Sequence, residues 1–577
     1  MNNYQFFIIL FNKVIIYYIY YRWYNNSGDN MKHKKTKIRY DRVAIFILGV
    51  LVVSFFLFLI IAKIINGTKN VISNIVSENM YLSSIDSTVE LYSDDFTVVE
   101  YIARGTLVNT YNEVEHDETT YKKIKYNKHD YYVKKESLTK SIDNVVKEEK
   151  VYVRTPVTIY ENSDDIKIIG FASKNSALEV IGYNKLLTDG TVDMYKVKYN
   201  NIEGYVYSKY VQTSDIIDDA LSLKYHKDRK FNYELYGGEA VNLDYYPHEK
   251  ANFKDNVMPD VVNAFYLTST SISNIDEYIN IAKSSNINAF VVDIKDGSMA
   301  YESEVAKKYS ISNYNSAANS YEKYKNVIDK LKKEGFYVIG RIVAFNDYNF
   351  AKDNKSETIA NTTWVSAYSR LAWEFNVSLA IEAVENFGFN EIQFDYVRFP
   401  ESSYTYSKEG YDFRNKYNEE KGQAIQNFLI YATDEIHKKN AYVSADVFGE
   451  CVGTYVTAYG QYFPNISNIV DVISAMPYPD HFAKGTYGIE TPWLHPYEIL
   501  NSWAKRAFER QKEIETPAKV RTWIQAYDAI KSPHNTYGEY EIKEQIKGLN
   551  DAGLTDGVIT WNGSSSLTKY DSIKGAF

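Results

Sequence analysis

The sequence after Pro259 alternates short apolar segments with amphipathic ones, and this alternation most constrains the fold. Eight segments have the β-branched and aromatic composition of buried strands: 262–268, 288–296, 336–345, 391–399, 442–449, 470–478, 519–527 and 556–563. The stretches between them space apolar residues three and four apart, as amphipathic helices do. Alternating strands and helices predict parallel pairing, and eight strands predict an α/β fold of the (β/α)8 TIM-barrel type over residues 260–577.

A doubly wound open sheet is the alternative fold for the same alternation. Such sheets usually seat a nucleotide in a Gly-rich turn after the first strand. No turn of this kind follows residues 262–268. The barrel is therefore the favoured prediction.

Composition and charge exclude several classes of function. With 577 residues, 45% of them hydrophobic, the chain can bury a sizeable core. A formal net charge of -9 argues against nucleic-acid binding, which needs clustered Lys and Arg. Cys451 is the only cysteine, and the nine histidines lack metal-ligand spacing. We therefore expect no internal disulfide and no metal site; no cofactor is expected either, because the two-carboxylate chemistry predicted below needs none.

An uncharged run of twenty residues, Val43 to Ala62, has the length of a transmembrane helix. Basic residues cluster just before it, which predicts a single-pass membrane protein with residues 1–42 in the cytoplasm and all later domains extracellular. A cleaved signal peptide is the alternative, but the run is long and no A-x-A site follows. For residues 1–30, an overcalled start codon and a second membrane span both stay open.

Two β-rich repeats follow, at residues 85–140 and 150–214. The second ends with YKVKYNNIEGYVYSKYV and resembles the bacterial SH3-type domains of exported cell-wall proteins. That resemblance implies peptidoglycan binding, although a stalk that holds the next domain off the membrane would have the same pattern. Residues 215–259 are polar and irregular and are interpreted as a linker.

Polar residues end most of the predicted barrel strands, where a TIM barrel has its active site. Carboxylates, aromatic rings and amides together suit a sugar, because rings stack on its C–H faces and polar groups bind its hydroxyls. We therefore predict a glycan site. Its candidate residues are Asp293, Lys295, Arg341, Asn346, Asp395, Arg398, Asp446, Tyr478, Asp480, Gln525 and Trp561.

Cleavage of a glycosidic bond needs two carboxyl groups, and Asp395 and Asp446 on neighbouring strands are the predicted pair. Arg398 is expected to keep Asp395 ionised. Glu450 is the alternative partner for Asp395. Asp293 and Lys295 are expected either to form an internal ion pair or to contact substrate. Trp364 is interpreted as a core residue.

Five phrases, FVVDIKD, YVIGRIVAFND, EIQFDYVRFP, VSADVFG and VISAMPYPDHF, resemble a bacterial family of glycoside hydrolase domains with a (β/α)8 barrel. That resemblance covers about residues 260–577 and implies an α-amylase-like site. Asp395 would be the nucleophile and Asp446 the acid/base. In α-amylase-like enzymes an Arg normally stands two residues before the nucleophile, whereas here position 393 is Gln.

These observations predict a membrane-anchored extracellular glycoside hydrolase whose partner is a cell-wall, exopolysaccharide or peptidoglycan glycan. A non-catalytic wall-binding or scaffold protein is the alternative, because the same repeats and barrel could bind glycan without cleaving it. A metal-dependent deacetylase is a third option. Oligomeric state, substrate and anomeric outcome stay open.

Overall fold

A computed structural model describes residues 40–73, 77–217 and 235–577. Its first element, α1, spans Tyr40–Ser73 and contains the run predicted to cross the membrane. None of the helices within these ranges is long and apolar enough to span a bilayer. The predicted membrane segment is therefore not supported here. The predictions for residues 1–39 concern residues outside these ranges.

Two seven-stranded antiparallel sheets follow α1 and repeat one topology. Their order is β3-β2-β6-β5-β4-β1-β7 in the first and β10-β9-β13-β12-β11-β8-β14 in the second, so each strand has a counterpart in the other sheet. Their assignment to the SH3 type stays a prediction. The strands are β1 Glu78–Leu82, β2 Thr88–Tyr92, β3 Val98–Ala103, β4 Leu107–His116, β5 Thr119–Tyr126, β6 His129–Lys134, β7 Leu138–Thr139, β8 Lys150–Val153, β9 Val157–Tyr160, β10 Ile168–Ala172, β11 Ala177–Tyr183, β12 Met194–Tyr199, β13 Ile202–Tyr207 and β14 Val211–Gln212.

The C-terminal region is a nearly closed barrel of nine parallel strands. Eight were predicted; the seventh predicted strand is interrupted at Arg521, whose side chain forms a buried ion pair with Glu391. One of its halves pairs with the strand before it and the other with the last strand. In chain order the strands are β15 Val262–Leu267, β16 Ala289–Asp296, a short hairpin partner β17 Ser298–Met299 outside the nine, β18 Tyr337–Val343, β19 Glu391–Asp395, β20 Tyr442–Phe448, β21 Val472–Met476, β22 Lys519–Val520, β23 Thr522–Gln525 and β24 Gly557–Trp561.

Successive strand residues alternate between the barrel interior and the helix layer outside it. In β15, Ala264 and Tyr266 join the inner apolar cluster, whereas Phe265 and Leu267 join the outer one. Both faces of the strands are therefore buried, as parallel sheets require. The helices are α2 Ile275–Lys283, α3 Glu304–Tyr309, α4 Ile311–Tyr314, α5 Tyr321–Lys333, α6 Tyr348–Asp353, α7 Arg370–Phe387, α8 Ser403–Lys408, α9 Lys421–His437, α10 Phe463–Ile469, α11 Pro496–Gln511, α12 Glu539–Asp551 and α13 Leu567–Ile573.

The described end of the predicted linker, residues 235–259, packs against the barrel instead of spanning open space. Ala251, Phe253 and Met258 contact the inner apolar cluster. The Lys250 ammonium donates to three backbone carbonyls at the end of α10, at 2.8 to 2.9 Å. The Asn256 side chain donates to the carbonyls of Asn390 and Asn440, just before β19 and β20, so this segment covers the N-terminal ends of these strands.

Hydrogen bonds join the second sheet to two helices of the barrel, α7 and α9. The Tyr207 hydroxyl donates to Glu435 at 3.0 Å, and the Tyr210 hydroxyl donates to Asp434 at 2.7 Å, both on α9. The backbone N–H of Ile168 donates to Glu374 on α7 at 2.8 Å. Between the two sheets, Arg104 bonds Glu148 at 2.7 Å in a buried ion pair.

Candidate active site

Asp395 is the last residue of β19, and the chain turns sharply after it. Tyr396 has a φ of 51°, in the left-handed region that a bulky side chain rarely adopts. This turn brings the Tyr396 N–H to 2.6 Å from Asp395 Oδ1. The predicted strand through Phe399 is therefore too long by four residues. Strain of about 1–3 kcal/mol at such a position is common at functional sites.

Arg341 on β18 binds the carboxylates that surround it. The distances are 2.7 Å from Nη1 to Asp293, 3.0 Å from Nη1 to Asp296, 2.6 Å from Nη2 to Asp395 and 3.9 Å from Nε to Asp446. The planar guanidinium has five N–H donors, so one residue can serve several acceptors.

Arg341 and its four carboxylate neighbours, Asp293, Asp296, Asp395 and Asp446, are called the Arg341 cluster. The register of the sheet brings this cluster together. Arg341 lies opposite Asp293 on one side and Gln393 on the other, and Asp395 is two residues beyond Gln393. Residues two apart in a strand point the same way, so these side chains meet inside the barrel. Arg341 was predicted to contact substrate. It is only 2% exposed, so its partners in this structure are the carboxylates.

Asp395 and Asp446 are neighbours of the guanidinium but have different environments. Each oxygen of Asp395 accepts one hydrogen bond, from Tyr396 N–H and from Arg341. Asp446 accepts one, from Trp523 Nε1 at 2.7 Å, and has no exposed surface. Burial raises the pKa of Asp446 well above its usual range; the charge of Asp395 adds to this rise, and Arg341 opposes it. Asp446 therefore favours the neutral form.

Asp293 forms the other side of the cluster. It accepts the Tyr266 hydroxyl at 2.6 Å, and burial raises its pKa to about 6 although Arg341 lowers it. The Tyr266 ring lies 4.8 Å from the half-buried Trp561 ring, and Trp561 contacts Trp523 edge-on at 5.6 Å. These three rings form an aromatic wall beside the carboxylates.

The sequence profile of a family described as "Putative glycosyl hydrolase domain" matches residues 264–567. The chain belongs to this family. The matched region runs from β15 to the start of α13, so the family domain is the barrel and does not include the two N-terminal sheets. A comparison with curated proteins gives no match.

Several solved structures resemble parts of the chain. The glycoside hydrolase domain of PgaB (BpsB) from Bordetella bronchiseptica is 11% identical over 55% of this chain and 99% of that one, with a TM-score of 0.40. A hypothetical protein from Ruminiclostridium thermocellum is 29% identical over 32% and 97%, with a TM-score of 0.26. A GH18 chitinase from Pseudoalteromonas aurantia is 12% identical over 55% and 100%, with a TM-score of 0.33.

Lys295 and Arg398 lie elsewhere in the family domain than predicted. A bulge between Asp293 and Lys295 shifts the register, and Lys295 binds Asp347 at 2.5 Å and Asn376 at 3.0 Å. The predicted Asp293–Lys295 pair is therefore wrong. Arg398 follows the turn at Tyr396 and pairs with Glu401 at 2.9 Å. Arg341, not Arg398, supplies the cation beside Asp395.

The later strand ends contribute less to the cluster. Asp480 accepts backbone N–H groups of Ile530 and Lys531, and Gln525 accepts the N–H of Asp480, so both hold loops in place. Tyr478 is buried, and burial raises its pKa, with the charge of Asp446 adding to the rise. Asn346 is exposed.

Glu450, the alternative carboxyl partner, lies outside the Arg341 cluster. It is exposed and accepts the hydroxyls of Tyr455 at 2.6 Å and Tyr459 at 3.0 Å. Within the described ranges, no group of three or more His, Cys, Asp or Glu residues is arranged to hold a metal ion.

Three further residues lie at the mouth of the barrel: Asp296, which ends a predicted strand, and Trp364 and Tyr396. Asp296 keeps 40% of its side chain exposed while it bonds Arg341. Trp364 packs against the outer apolar cluster, in line with its interpretation as core, but it is only half-buried and its ring lies 6.0 Å from that of Tyr396. Burial, and then the charge of Asp395, raise the pKa of the Tyr396 phenol. Asp296 is indicated in the sequence by its place at a strand end, whereas no pattern signals the left-handed turn at Tyr396.

Proposed function

We propose that this protein hydrolyses glycosidic bonds, with Asp395 and Asp446 as its two catalytic carboxyl groups. One observation carries the proposal: both carboxyls face the same Arg341 guanidinium at the C-terminal strand ends, but Asp395 accepts hydrogen bonds from Arg341 and from the Tyr396 N–H, whereas burial raises the pKa of Asp446. In many glycosidases, two carboxyl groups whose environments differ in this way are the acid and the base or nucleophile.

In the proposed reaction, an oxygen of Asp395 attacks the anomeric carbon and the glycosidic C–O bond breaks. Asp446 gives its proton to the leaving oxygen and becomes a carboxylate. Water then attacks the anomeric carbon, its proton returns to Asp446, and the ester bond to Asp395 breaks. The two hydrogen bonds to Asp395 hold its carboxylate in one orientation for the attack.

Arg341 supports the assignment of Asp395 as nucleophile. In the α-amylase-like pattern a guanidinium comes from two residues before the nucleophile, where this chain has Gln393. Arg341 lies directly opposite Gln393 in the sheet and bonds Asp395 at 2.6 Å. The neighbouring strand therefore supplies the cation beside Asp395.

For the substrate we propose a polysaccharide of the cell wall or of an exopolysaccharide. The half-buried ring of Trp561 beside the carboxylates suits stacking on a pyranose ring, which is how apolar sugar faces are bound. Wall binding by the two sheets and a location outside the cell remain proposals from the sequence. Protease accessibility of the barrel on intact cells tests that location.

One observation favours a non-catalytic glycan-binding barrel as a second candidate. Asp446 has no exposed surface, whereas an acid must reach the glycosidic oxygen. A binding protein would need only the mouth residues, such as Asp296 and Trp561.

The full chain, incubated with purified peptidoglycan and with chitopentaose, tests the proposal by release of reducing ends. We expect Asp395→Asn to abolish release, and the exposed Asp571→Asn to leave it unchanged. Equal release by wild type and Asp395→Asn would refute the catalytic role. Binding of peptidoglycan by both proteins, with no release from either, would favour the second candidate.

A further inference from the structure

A set of buried polar atoms without partners lies at and beneath the carboxyl pair. Among the described residues, both side-chain amide atoms of Gln393 lack a hydrogen-bond partner, as do Ser474 Oγ, Asp446 Oδ2 and Arg341 Nε. The four residues are 0% to 2% exposed. Arg341 Nε and Asp446 Oδ2 face each other at 3.9 Å, which is beyond hydrogen-bond distance. Buried polar atoms are nearly always paired with protein or with ordered water, so each of these five needs an explanation.

Strand geometry places all five atoms in the barrel interior. Gln393 lies between Glu391 and Asp395 in β19, and both neighbours bind interior arginines. Gln393 therefore points inward as well. Ser474 on β21 lies directly opposite Asp446 on β20, and Met476, two residues further, packs on the inner cluster.

The five atoms are chemically complementary. Arg341 Nε and Gln393 Nε2 are donors, Gln393 Oε1 and ionised Asp446 Oδ2 are acceptors, and the Ser474 hydroxyl can be either. A water molecule donates two hydrogen bonds and accepts two, and buried waters typically make about three. A water site among these side chains would satisfy groups on four adjacent strands.

We propose that the barrel interior contains an ordered water site bound by Gln393, Ser474, Asp446 and Arg341. Gln393 is then a positioning residue that acts on Asp446 through this water. The role rests on the proposed function, whereas the water site itself does not. A bound water stabilises the carboxylate that Asp446 becomes when it gives up its proton. The other charged or titratable groups that face Asp446 are Asp395, Glu391 and Tyr478.

A crystal structure of the protein tests the site directly. We expect density for a water within about 3.2 Å of the Gln393 amide and of Asp446 Oδ2. A Gln393 amide bonded directly to Asp446 or Arg341, with no water between them, would overturn the proposal.

The role is tested by the pH dependence of kcat with chitopentaose or peptidoglycan, whichever wild type cleaves. Gln393→Met keeps the size of the side chain and removes its hydrogen bonds. We expect the fall in kcat at high pH to move upward by about one pH unit, because Asp446 loses a group that stabilises its ionised form. Ser474→Ala should move it in the same direction by less.

Ile339→Val, in the interior apolar cluster, is the matched control. It should lower Tm without moving the pH profile. A purely structural role of Gln393 predicts the same result for Gln393→Met, and that outcome would refute the positioning role. If wild type cleaves neither probe, the proposed function fails, while the crystal structure still decides the water site.

Discussion

Arg341 Nη2 lies 2.6 Å from Asp395 Oδ2, and both groups are buried in the mouth of the barrel. The bond joins strands that are neighbours in the sheet, and the same guanidinium binds carboxylates from two further positions. Arg341 therefore balances the charge of the whole cluster as well as orienting Asp395.

Arg341→Met should destabilise the protein by about 3–5 kcal/mol, because it leaves buried carboxylates without their cation. Arg341→Lys keeps the charge but cannot bind several carboxylates as a planar fork, so we expect an intermediate loss. Urea unfolding measures both. The exposed Arg414→Met is the control and should cost under about 1 kcal/mol. A change below about 1 kcal/mol for Arg341→Met would contradict the described cluster.

Asp446 should set the fall in activity at high pH. Its pKa is raised by burial and by the charge of Asp395, so the acid form persists to higher pH than in an exposed Asp. kcat should decline as pH rises through that pKa. Asp446→Asn should lower glycan hydrolysis by about 10²–10⁴-fold, and its remaining activity should lack this decline. A variant profile with the decline intact would assign the titration to another group.

Asp293 should make stability depend on pH between about 4 and 6. Its folded-state pKa of about 6 lies above the ordinary 3.8, so its contribution is fully present below about pH 4 and is lost as pH rises through 6. The loss is at most about 3 kcal/mol, since one pKa unit corresponds to about 1.4 kcal/mol.

Asp293→Asn should therefore flatten the fall in the free energy of unfolding over this range, as measured by urea unfolding at several pH values. It also removes an Arg341 partner, so the comparison is of slopes and not of absolute stability. Asp571→Asn, which is exposed, should keep the wild-type slope. An unchanged slope in Asp293→Asn would show that another group titrates.

The turn after Asp395 can be tested by two substitutions that both remove the Tyr396 ring. Glycine adopts a φ of 51° without strain, whereas alanine does not, so Tyr396→Gly should be more stable than Tyr396→Ala by about 1–2 kcal/mol. Thermal unfolding measures the difference. At an ordinary strand position the order is reversed, so a more stable alanine variant would exclude this turn.

The eight predicted strand positions contain all nine barrel strands, because each strand is buried on both faces and reads as a continuous apolar run. No sequence pattern predicts that the seventh segment is divided into two strands at Arg521. Its side chain turns inward to meet Glu391, a residue 130 positions away in the chain.

The cluster itself could be predicted only in part. Asp395, Asp446 and Arg341 were found because polar residues at strand ends are conspicuous. The ion pairs among these residues could not be predicted, because strand register is set by packing across the sheet. Arg398, for example, is three residues from Asp395 in sequence, yet it pairs with Glu401. A one-residue bulge likewise separates Lys295 from Asp293. Neither the bulge nor the left-handed Tyr396 has a residue signature of its own.

Helices α7 and α9 precede β19 and β20, the strands that carry Asp395 and Asp446, and both helices hold the second sheet. Removal of residues 1–214 would leave Asp434 and Glu435 without the phenol donors of Tyr210 and Tyr207. Expression of the barrel alone would therefore expose a surface that the intact chain covers. The smallest fragment suited to crystallography and assay should begin before β8 and retain the second sheet.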